Sequence, residues 1–193
     1  MRITGGSLKG RRVEVVRGGL EIRPAMDKMR ETVFAVLGDL HGRSFLDLFS
    51  GSGIIGLEAA SRGADPVACV EKDREKFPLL LKNVSIAELR IECHAMPVER
   101  FLLRNKTPYS IVFLDPPFPY SFRLELITTL SRGPTLQDGG LLLIHHPRED
   151  RLPQGIGRLA LVDEREFGRS LVKFYRAAGP ADAAESTSGR NFD

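Results

Sequence analysis

The chain has 193 residues, of which 42% are hydrophobic, and its formal net charge is +3 at pH 7. This length and apolar content predict one buried core, and therefore a single domain with an N-terminal appendage. No apolar run reaches membrane-spanning length and no signal-peptide hydrophobic region is found, which predicts a cytoplasmic protein without a membrane partner. The two cysteines, Cys69 and Cys93, lie in apolar strand patterns and are typical of reduced core residues, not of a disulfide or metal ligands.

The positive charge is concentrated in the first 30 residues. They hold eight Lys or Arg residues against three acids, a net charge of +5. The segments 2–5 and 11–16 predict two short strands joined around Gly10, a basic hairpin arm within residues 1–20. A basic segment attached to a slightly acidic domain is typical of a nucleic-acid-binding protein. A solvated hairpin rich in arginine would show the same asymmetry of charge. The candidate RNA contacts are Lys9, Arg11, Arg12, Arg23 and Arg30.

Residues 21–177 alternate between strand and helix patterns. The first helix is predicted over 26–37, with Met29, Val33, Val36 and Leu37 on one apolar stripe. Strands are then predicted near 44–49, 66–71, 90–94, 109–114 and 140–145. Helices are predicted near 53–62, 74–88, 97–104 and 121–132. The alternation indicates an α/β fold with a doubly wound parallel sheet.

The end of the chain carries two further strand patterns and then a polar tail. Strands near 158–164 and 170–176 are separated by a short turn, which predicts an antiparallel hairpin that completes a seven-stranded sheet. Residues 178–193 contain too few apolar side chains to pack, which predicts a disordered tail.

A glycine-rich turn directly follows the strand predicted over 44–49. The turn SGSG at residues 50–53, together with Gly56, satisfies G-x-G-x-x-G at a strand-to-helix junction, where backbone N–H groups can hold an anion. Glu71 ends the next predicted strand, where a carboxylate would bind ribose hydroxyls. These features fit NAD, FAD or S-adenosylmethionine. Asp47 favours the last of these, because a carboxylate there suits a ligand with a positive ammonium group and repels a pyrophosphate.

The tetrapeptide Asp115-Pro116-Pro117-Phe118 follows the apolar run 109–114, at a predicted strand's C-terminal edge. Asp115 and the Pro116 carbonyl can accept both N–H bonds of an exocyclic amine, and Phe118 offers a face on which a base can stack. A structural loop that contains two prolines and a phenylalanine packed in the core would have the same sequence. His145 and His146 lie at the end of the strand predicted near 140–145. With no other ligand type at suitable spacing, they predict a structural or rim role instead of a metal site.

The motifs DLFSGSG, VEKD and FLDPPF, in this order and spacing, resemble those of class I S-adenosylmethionine-dependent methyltransferases that act on exocyclic amines. The segments RITGGSLKGRRVEV (2–15) and IRPAMDKMRETVFAVL (22–37) resemble the opening of the RsmD family. Members of that family methylate the N2 amine of a guanine in bacterial small-subunit ribosomal RNA. The similarity covers roughly residues 2–177. Departures include Ala25 where the family usually has Thr, and His94 where it usually has Asp or Asn.

The resemblance implies a Rossmann-like methyltransferase domain that uses S-adenosylmethionine and acts on ribosomal RNA or a small-subunit assembly particle. It implies a monomer that needs no metal, with Asp115, Pro116, Pro117 and Phe118 as catalytic residues. The cofactor residues it implies are Asp47, Ser50, Gly51, Ser52, Gly53, Glu71, Lys72, His94 and Ala95. Three alternatives stay open: another amine methyltransferase, acting on adenine N6 or a glutamine side chain, a non-methylating RNA-binding module, and a nicotinamide-dependent oxidoreductase. Enzymes that act on glutamine usually have Asn where this chain has Asp115.

Overall fold

The computed structural model describes residues 1–15, 23–87 and 90–179, which form five helices and eight strands. The helices are α1 (Arg23–Leu37), α2 (Ile54–Ser61), α3 (Phe77–Val84), α4 (Val98–Arg104) and α5 (Arg123–Arg132). The strands are β1 (Phe45–Leu48), β2 (Val67–Glu71), β3 (Ile91–Ala95), β4 (Tyr109–Leu114), β5 (Leu136–Pro147), β6 (Gly155–Ile156), β7 (Leu159–Phe167) and β8 (Ser170–Ala177).

All eight strands belong to one mixed sheet with the order β3-β2-β1-β4-β5-β8-β7-β6. The first five strands pair in parallel, and β8 inserts between β5 and β7 with antiparallel pairing on both sides. Every residue of β1 and β2 is buried, as expected for central parallel strands covered on both faces. The α/β prediction and the closing hairpin are confirmed. The eighth strand is the two-residue β6, which was not predicted.

The sheet separates two apolar layers. One cluster packs α4 and α5 against one face, and a second packs α1 and α2 against the other. Within α1 the predicted stripe is wrong at one position, because Val36 is 43% exposed while Phe34 is fully buried. Helix α3 begins at Phe77, later than predicted, with Pro78 in its first turn, where a missing N–H is tolerated.

Residues 1–15 dock on the domain. Arg2 and Arg12 form an isolated antiparallel bridge in place of two regular strands, and Ile3 N donates to the Arg11 carbonyl at 3.0 Å. Ile3 and Val13 are buried against Leu57 of α2. The segment is therefore a hairpin-like turn fixed to α2. The predicted arm boundary at residue 20 and most of the predicted tail lie outside the described residues.

No helix in the described ranges combines the length and the apolar character that crossing a bilayer requires.

Candidate active site

Four acidic or imidazole side chains meet at the carboxyl ends of the central parallel strands. Asp47 lies in β1, Glu71 ends β2, Asp115 follows β4, and His145 lies near the end of β5. Two adjoining cavities open here, of about 240 Å³ and 350 Å³. The residues that line both are Met26, Phe49, Gly51, Lys76 and Asp115. This is the edge at which open α/β sheets bind ligands.

The glycine-rich turn presents backbone N–H groups to the smaller cavity. Ser52, Ile54 and Ile55 line this cavity, and within the described residues their N–H groups have no hydrogen-bond acceptor. Ile54 and Ile55 open α2, so these donors lie at the positive end of a helix dipole. A Cβ at Gly56 would lie 2.5 Å from the Cys69 sulfur, so the helix approaches β2 this closely only with glycine there. The arrangement is suited to bind a carboxylate.

Ser50 lines the smaller cavity, but its polar groups have partners within the protein. Its Oγ donates to the Asp47 carbonyl at 2.7 Å and accepts from Val70 N at 2.9 Å. Its backbone N–H also donates to the Val70 carbonyl. Ser50 is therefore used inside the protein to join β1 to β2. The N–H of Gly51 is used as well, since it donates to Glu71 at 2.8 Å.

Asp47 is a buried carboxylate with one oxygen unused. It is 1% exposed, and its Oδ2 accepts from Gly56 N at 3.1 Å. Among the described residues its Oδ1 has no hydrogen-bond partner. Burial raises the pKa of Asp47 well above its ordinary value, the Gly56 hydrogen bond opposes this, and the negative charge of Asp115 adds to the rise. Because an unpaired buried carboxylate is costly, a cationic ligand group would relieve the site.

Glu71 supports the turn as well as lining the larger cavity. Its Oε2 accepts from Gly51 N and its Oε1 accepts from Asp73 N, both at 2.8 Å. Each carboxylate oxygen can accept a further bond, so ribose hydroxyls remain possible partners. Lys72 lines the same cavity.

His94 and Ala95 are not among the residues that line either cavity. His94 lies in β3, with its ring 5.0 Å from the ring of Phe101 and its Nε2 4.0 Å from Glu92. Ala95 pairs with Glu71 at the end of the sheet. Their predicted contact with adenine stays a prediction.

The loop after β4 offers hydrogen-bond acceptors beside an aromatic ring. Asp115 and the buried Pro116 line the larger cavity, and among the described residues the Pro116 carbonyl has no hydrogen-bond donor. Phe118 is 51% exposed, which is unusual for a phenylalanine that serves only the core. An accepting carboxylate, an accepting carbonyl and an accessible ring are thus present together.

Arg123, which the sequence did not point to, clamps this loop. Its guanidinium donates to the Pro117 and Phe118 carbonyls at 2.9 Å each, and also to the Tyr120 carbonyl. It forms an ion pair with Asp150 at 2.7 Å. The carbonyls of Pro117 and Phe118 are therefore already used by Arg123, in contrast to the Pro116 carbonyl, which has no donor among the described residues. A planar fork with five donors can hold several carbonyls at once, which makes the loop rigid.

His145 reaches the same loop from β5. Its Nδ1 lies 2.8 Å from Asp115 Oδ1, and its ring meets the Phe118 ring edge-on at 5.7 Å. The prediction of a structural or rim role missed this contact, because it depends on the pairing of β4 with β5.

The basic residues divide into two groups. Lys9, Arg11 and Arg12 are exposed, as an RNA contact requires. Arg30 is only 2% exposed and pairs with Glu58 at 3.3 Å, so its predicted RNA contact is wrong. The side chain of Arg23 lies outside the described part of the chain.

The chain is similar to known proteins over nearly its whole length. The family model named Conserved hypothetical protein 95 matches residues 1–176. Ribosomal RNA small subunit methyltransferase D of Escherichia coli K12 is 34% identical over 190 residues, which cover 95% of this chain and 94% of that protein. The solved structure named "Putative methyltransferase yhhF from Escherichia coli" is 32% identical, with a TM-score of 0.83 over 92% of this chain and 98% of that one. A hypothetical protein of Thermus thermophilus is 31% identical, with a TM-score of 0.68 over 90% and 98% of the two chains.

Proposed function

The chain belongs to the family of Conserved hypothetical protein 95, and on that premise we propose that it methylates the exocyclic N2 amine of a guanine in small-subunit ribosomal RNA. The methyl donor is S-adenosylmethionine. The fold of this chain is that of the class I methyltransferases, and the sequence relatives of the chain include a methyltransferase of small-subunit ribosomal RNA. The observation that carries the proposal is the grouping, beside the larger cavity, of Asp115, the exposed Phe118 and a Pro116 carbonyl that has no donor among the described residues.

The residues of the smaller cavity fit the charged end of the proposed cofactor. Oδ1 of Asp47, which has no partner among the described residues, suits an ammonium group, and the N–H groups of Ser52, Ile54 and Ile55, unpaired in the same part of the chain, suit a carboxylate. Glu71 would bind the ribose hydroxyls through its remaining lone pairs. When bound, the cofactor supplies an electrophilic methyl group on a positive sulfonium.

The residues of the larger cavity suit the acceptor amine. The lone pair of a guanine amine is delocalised into the ring, so the nitrogen becomes nucleophilic only as it pyramidalises. Asp115 and the Pro116 carbonyl, each accepting one N–H bond, favour that geometry and the positive charge that develops on nitrogen. Phe118 stacks on the base and limits its orientation, which is a proximity effect. The proton is lost afterwards, since the methylated ammonium is strongly acidic.

The position of the loop requires an unstacked target. A base inside a duplex cannot reach Asp115 at the edge of the sheet, so the target guanine must be unpaired or flipped out. The exposed Lys9, Arg11 and Arg12 supply positive charge for the phosphate backbone. They hold the RNA without reading its sequence.

The proposal is tested by incubating the purified protein with labelled S-adenosylmethionine and small ribosomal subunits from a strain that lacks the corresponding activity. Nucleoside mass spectrometry then identifies the product. We expect N2-methylguanosine from the wild-type protein and none from Asp115→Asn, which keeps the shape but removes the charge. Both proteins should bind S-adenosylhomocysteine with affinities within about threefold of each other, because Asp115 serves the acceptor amine.

Different failures of this experiment are distinguishable. N6-methyladenosine as the product would contradict the guanine assignment and retain amine methylation. Binding of NADH without binding of S-adenosylhomocysteine would overturn the methyltransferase assignment. Wild-type turnover by Asp115→Asn would remove the assigned role of Asp115.

A further inference from the structure

His145 is buried beneath the loop of residues 115–118, called here the acceptor loop, and contacts Asp115 and Phe118 of this loop. We propose that His145 is a positioning residue that orients the Asp115 carboxylate toward the acceptor amine. The inference rests on the methyl transfer proposed above and goes beyond it, because it assigns a role to a residue of another strand.

The hydrogen bond between His145 and Asp115 has a defined direction. When Asp115 is ionised its carboxylate can only accept, and His145 Nδ1, 2.8 Å away, then donates to Oδ1. His145 is 3% exposed, so this bond is shielded from water, and Asp115 is only partly exposed. With Oδ1 held from below, Asp115 keeps Oδ2 for the amine, and within the described residues Oδ2 has no hydrogen-bond donor. A single bond thus fixes which carboxylate oxygen faces the substrate.

The ring of His145 also limits the movement of Phe118. The two rings meet edge-on, with centroids 5.7 Å apart and planes at 62°. Phe118 is exposed on its other side, so His145 is a fixed surface on which it rests. Because His145 belongs to β5, which pairs with β4 from Ile111 to Leu114, its position relative to Asp115 is set by the sheet. The acceptor carboxylate and the stacking ring therefore share one support.

The next residue, His146, provides a matched control. It is also fully buried, and its Nδ1 lies 2.8 Å from the Pro147 carbonyl instead of a loop residue. In both histidines Nε2 is buried without a partner among the described residues. The two side chains point to opposite faces of β5, as neighbours in a strand do. The two histidines are alike in their burial and in an Nε2 without a partner among the described residues, and they differ because His145 contacts Asp115 and His146 contacts Pro147.

The test compares His145→Leu and His145→Asn with His146→Leu and His146→Asn in steady-state methylation of small ribosomal subunits. Leucine removes the donor, whereas asparagine places an amide N–H close to the position of Nδ1. We expect His145→Leu to lower kcat about 10- to 100-fold, since small misplacements of a reacting group have effects of this size. KM for the RNA and affinity for S-adenosylhomocysteine should change less than about threefold. His145→Asn should recover most of the loss, and both His146 variants should keep kcat within about threefold of wild type.

Three results would overturn the proposal: an unchanged kcat in His145→Leu, an equal loss in His146→Leu, or no recovery in His145→Asn. A second measurement does not depend on turnover. The ring ¹⁵N shifts of His145 should show hydrogen on Nδ1 in the wild-type protein and a changed tautomer in Asp115→Leu. If the wild-type protein does not methylate RNA, the proposed function fails. The pairing is then judged by these shifts alone, and an unchanged tautomer in Asp115→Leu refutes it.

Discussion

Replacing Asp47 by Asn should stabilise the ligand-free protein and weaken its binding of the cofactor. The asparagine carbonyl can accept the Gly56 N–H bond now made by Oδ2, and the buried negative charge disappears, while the amide nitrogen takes the place of the unpaired Oδ1. A buried carboxylate charge costs several kcal/mol, and the amide N–H groups left without an acceptor return about 1–3 kcal/mol of that cost. For a chain of 193 residues, a gain of about 2 kcal/mol corresponds to a melting temperature higher by about 4–8 °C.

The gain should depend on pH in a defined direction. Burial raises the folded-state pKa of Asp47, whereas in the unfolded chain the carboxyl titrates near its ordinary value of about 3.9. Below about pH 4 the carboxyl is protonated in both states, so it imposes no penalty. As the pH rises, the unfolded chain releases its proton first and the wild-type protein loses stability. The difference between Asp47→Asn and wild type should therefore be small near pH 4 and larger at neutral pH.

The assay is urea or thermal denaturation of both proteins at several pH values, with and without S-adenosylhomocysteine. At 100 times its dissociation constant, a ligand stabilises the protein that binds it by about 2.7 kcal/mol. At one ligand concentration, the free energy of unfolding should therefore rise more for wild type than for Asp47→Asn. The stability advantage that the variant has without ligand should then become smaller or reverse. A variant less stable than wild type at neutral pH without ligand, or one with wild-type affinity, would refute the role of Asp47 as an ammonium site.

Three further changes have separable outcomes. Glu71→Ala should weaken S-adenosylhomocysteine binding about 10- to 100-fold in a calorimetric titration, because it removes charged acceptors and releases the turn they hold; an unchanged constant would contradict its placement. Replacing Lys9, Arg11 and Arg12 together by Ala should lower RNA affinity and reduce the slope of log K against log salt by about 2 to 3, with S-adenosylhomocysteine affinity unchanged. Equal slopes would leave these residues a solvated surface. Arg123→Met should lower kcat about 10- to 100-fold by loosening the acceptor loop, as measured by single-turnover methylation, and unchanged turnover would show that the loop holds itself.

The elements of the central sheet were predictable because their signals are local. The apolar stretches that precede Gly51 and Asp115 are continuous and end in turn residues. They form the buried strands β1 and β4, as predicted. Asp47 was singled out from its place in such a run, and the structure confirms that it lies in β1 beside the turn. Two-residue β6 has no periodicity to detect. These elements form where the local sequence pattern places them.

The remaining features depend on contacts between residues far apart in the chain. Arg30 has the sequence character of a surface cation, but the docking of residues 1–15 and α2 around it encloses it with Glu58. His145 meets Asp115 only because β4 pairs with β5. Ser50 is used by the carbonyl and N–H of Val70, which no local pattern encodes. The sequence shows where the charged residues lie along the chain, but which of them face solvent depends on the fold.

Helix α2 connects the smaller cavity to the basic N-terminal segment. Its first turn presents to the cavity the N–H groups of Ile54 and Ile55, which have no acceptor in the described part of the chain. One turn further on, the fully buried Glu58 accepts bonds from the backbone N–H groups of Thr4 and Gly5 at 2.9 Å each. A buried carboxylate with this many partners is costly to release, so residues 1–15 cannot swing independently of the helix. The exposed cations of the segment therefore stand in a fixed relation to the site, and phosphates bound there would set which part of the RNA reaches Asp115.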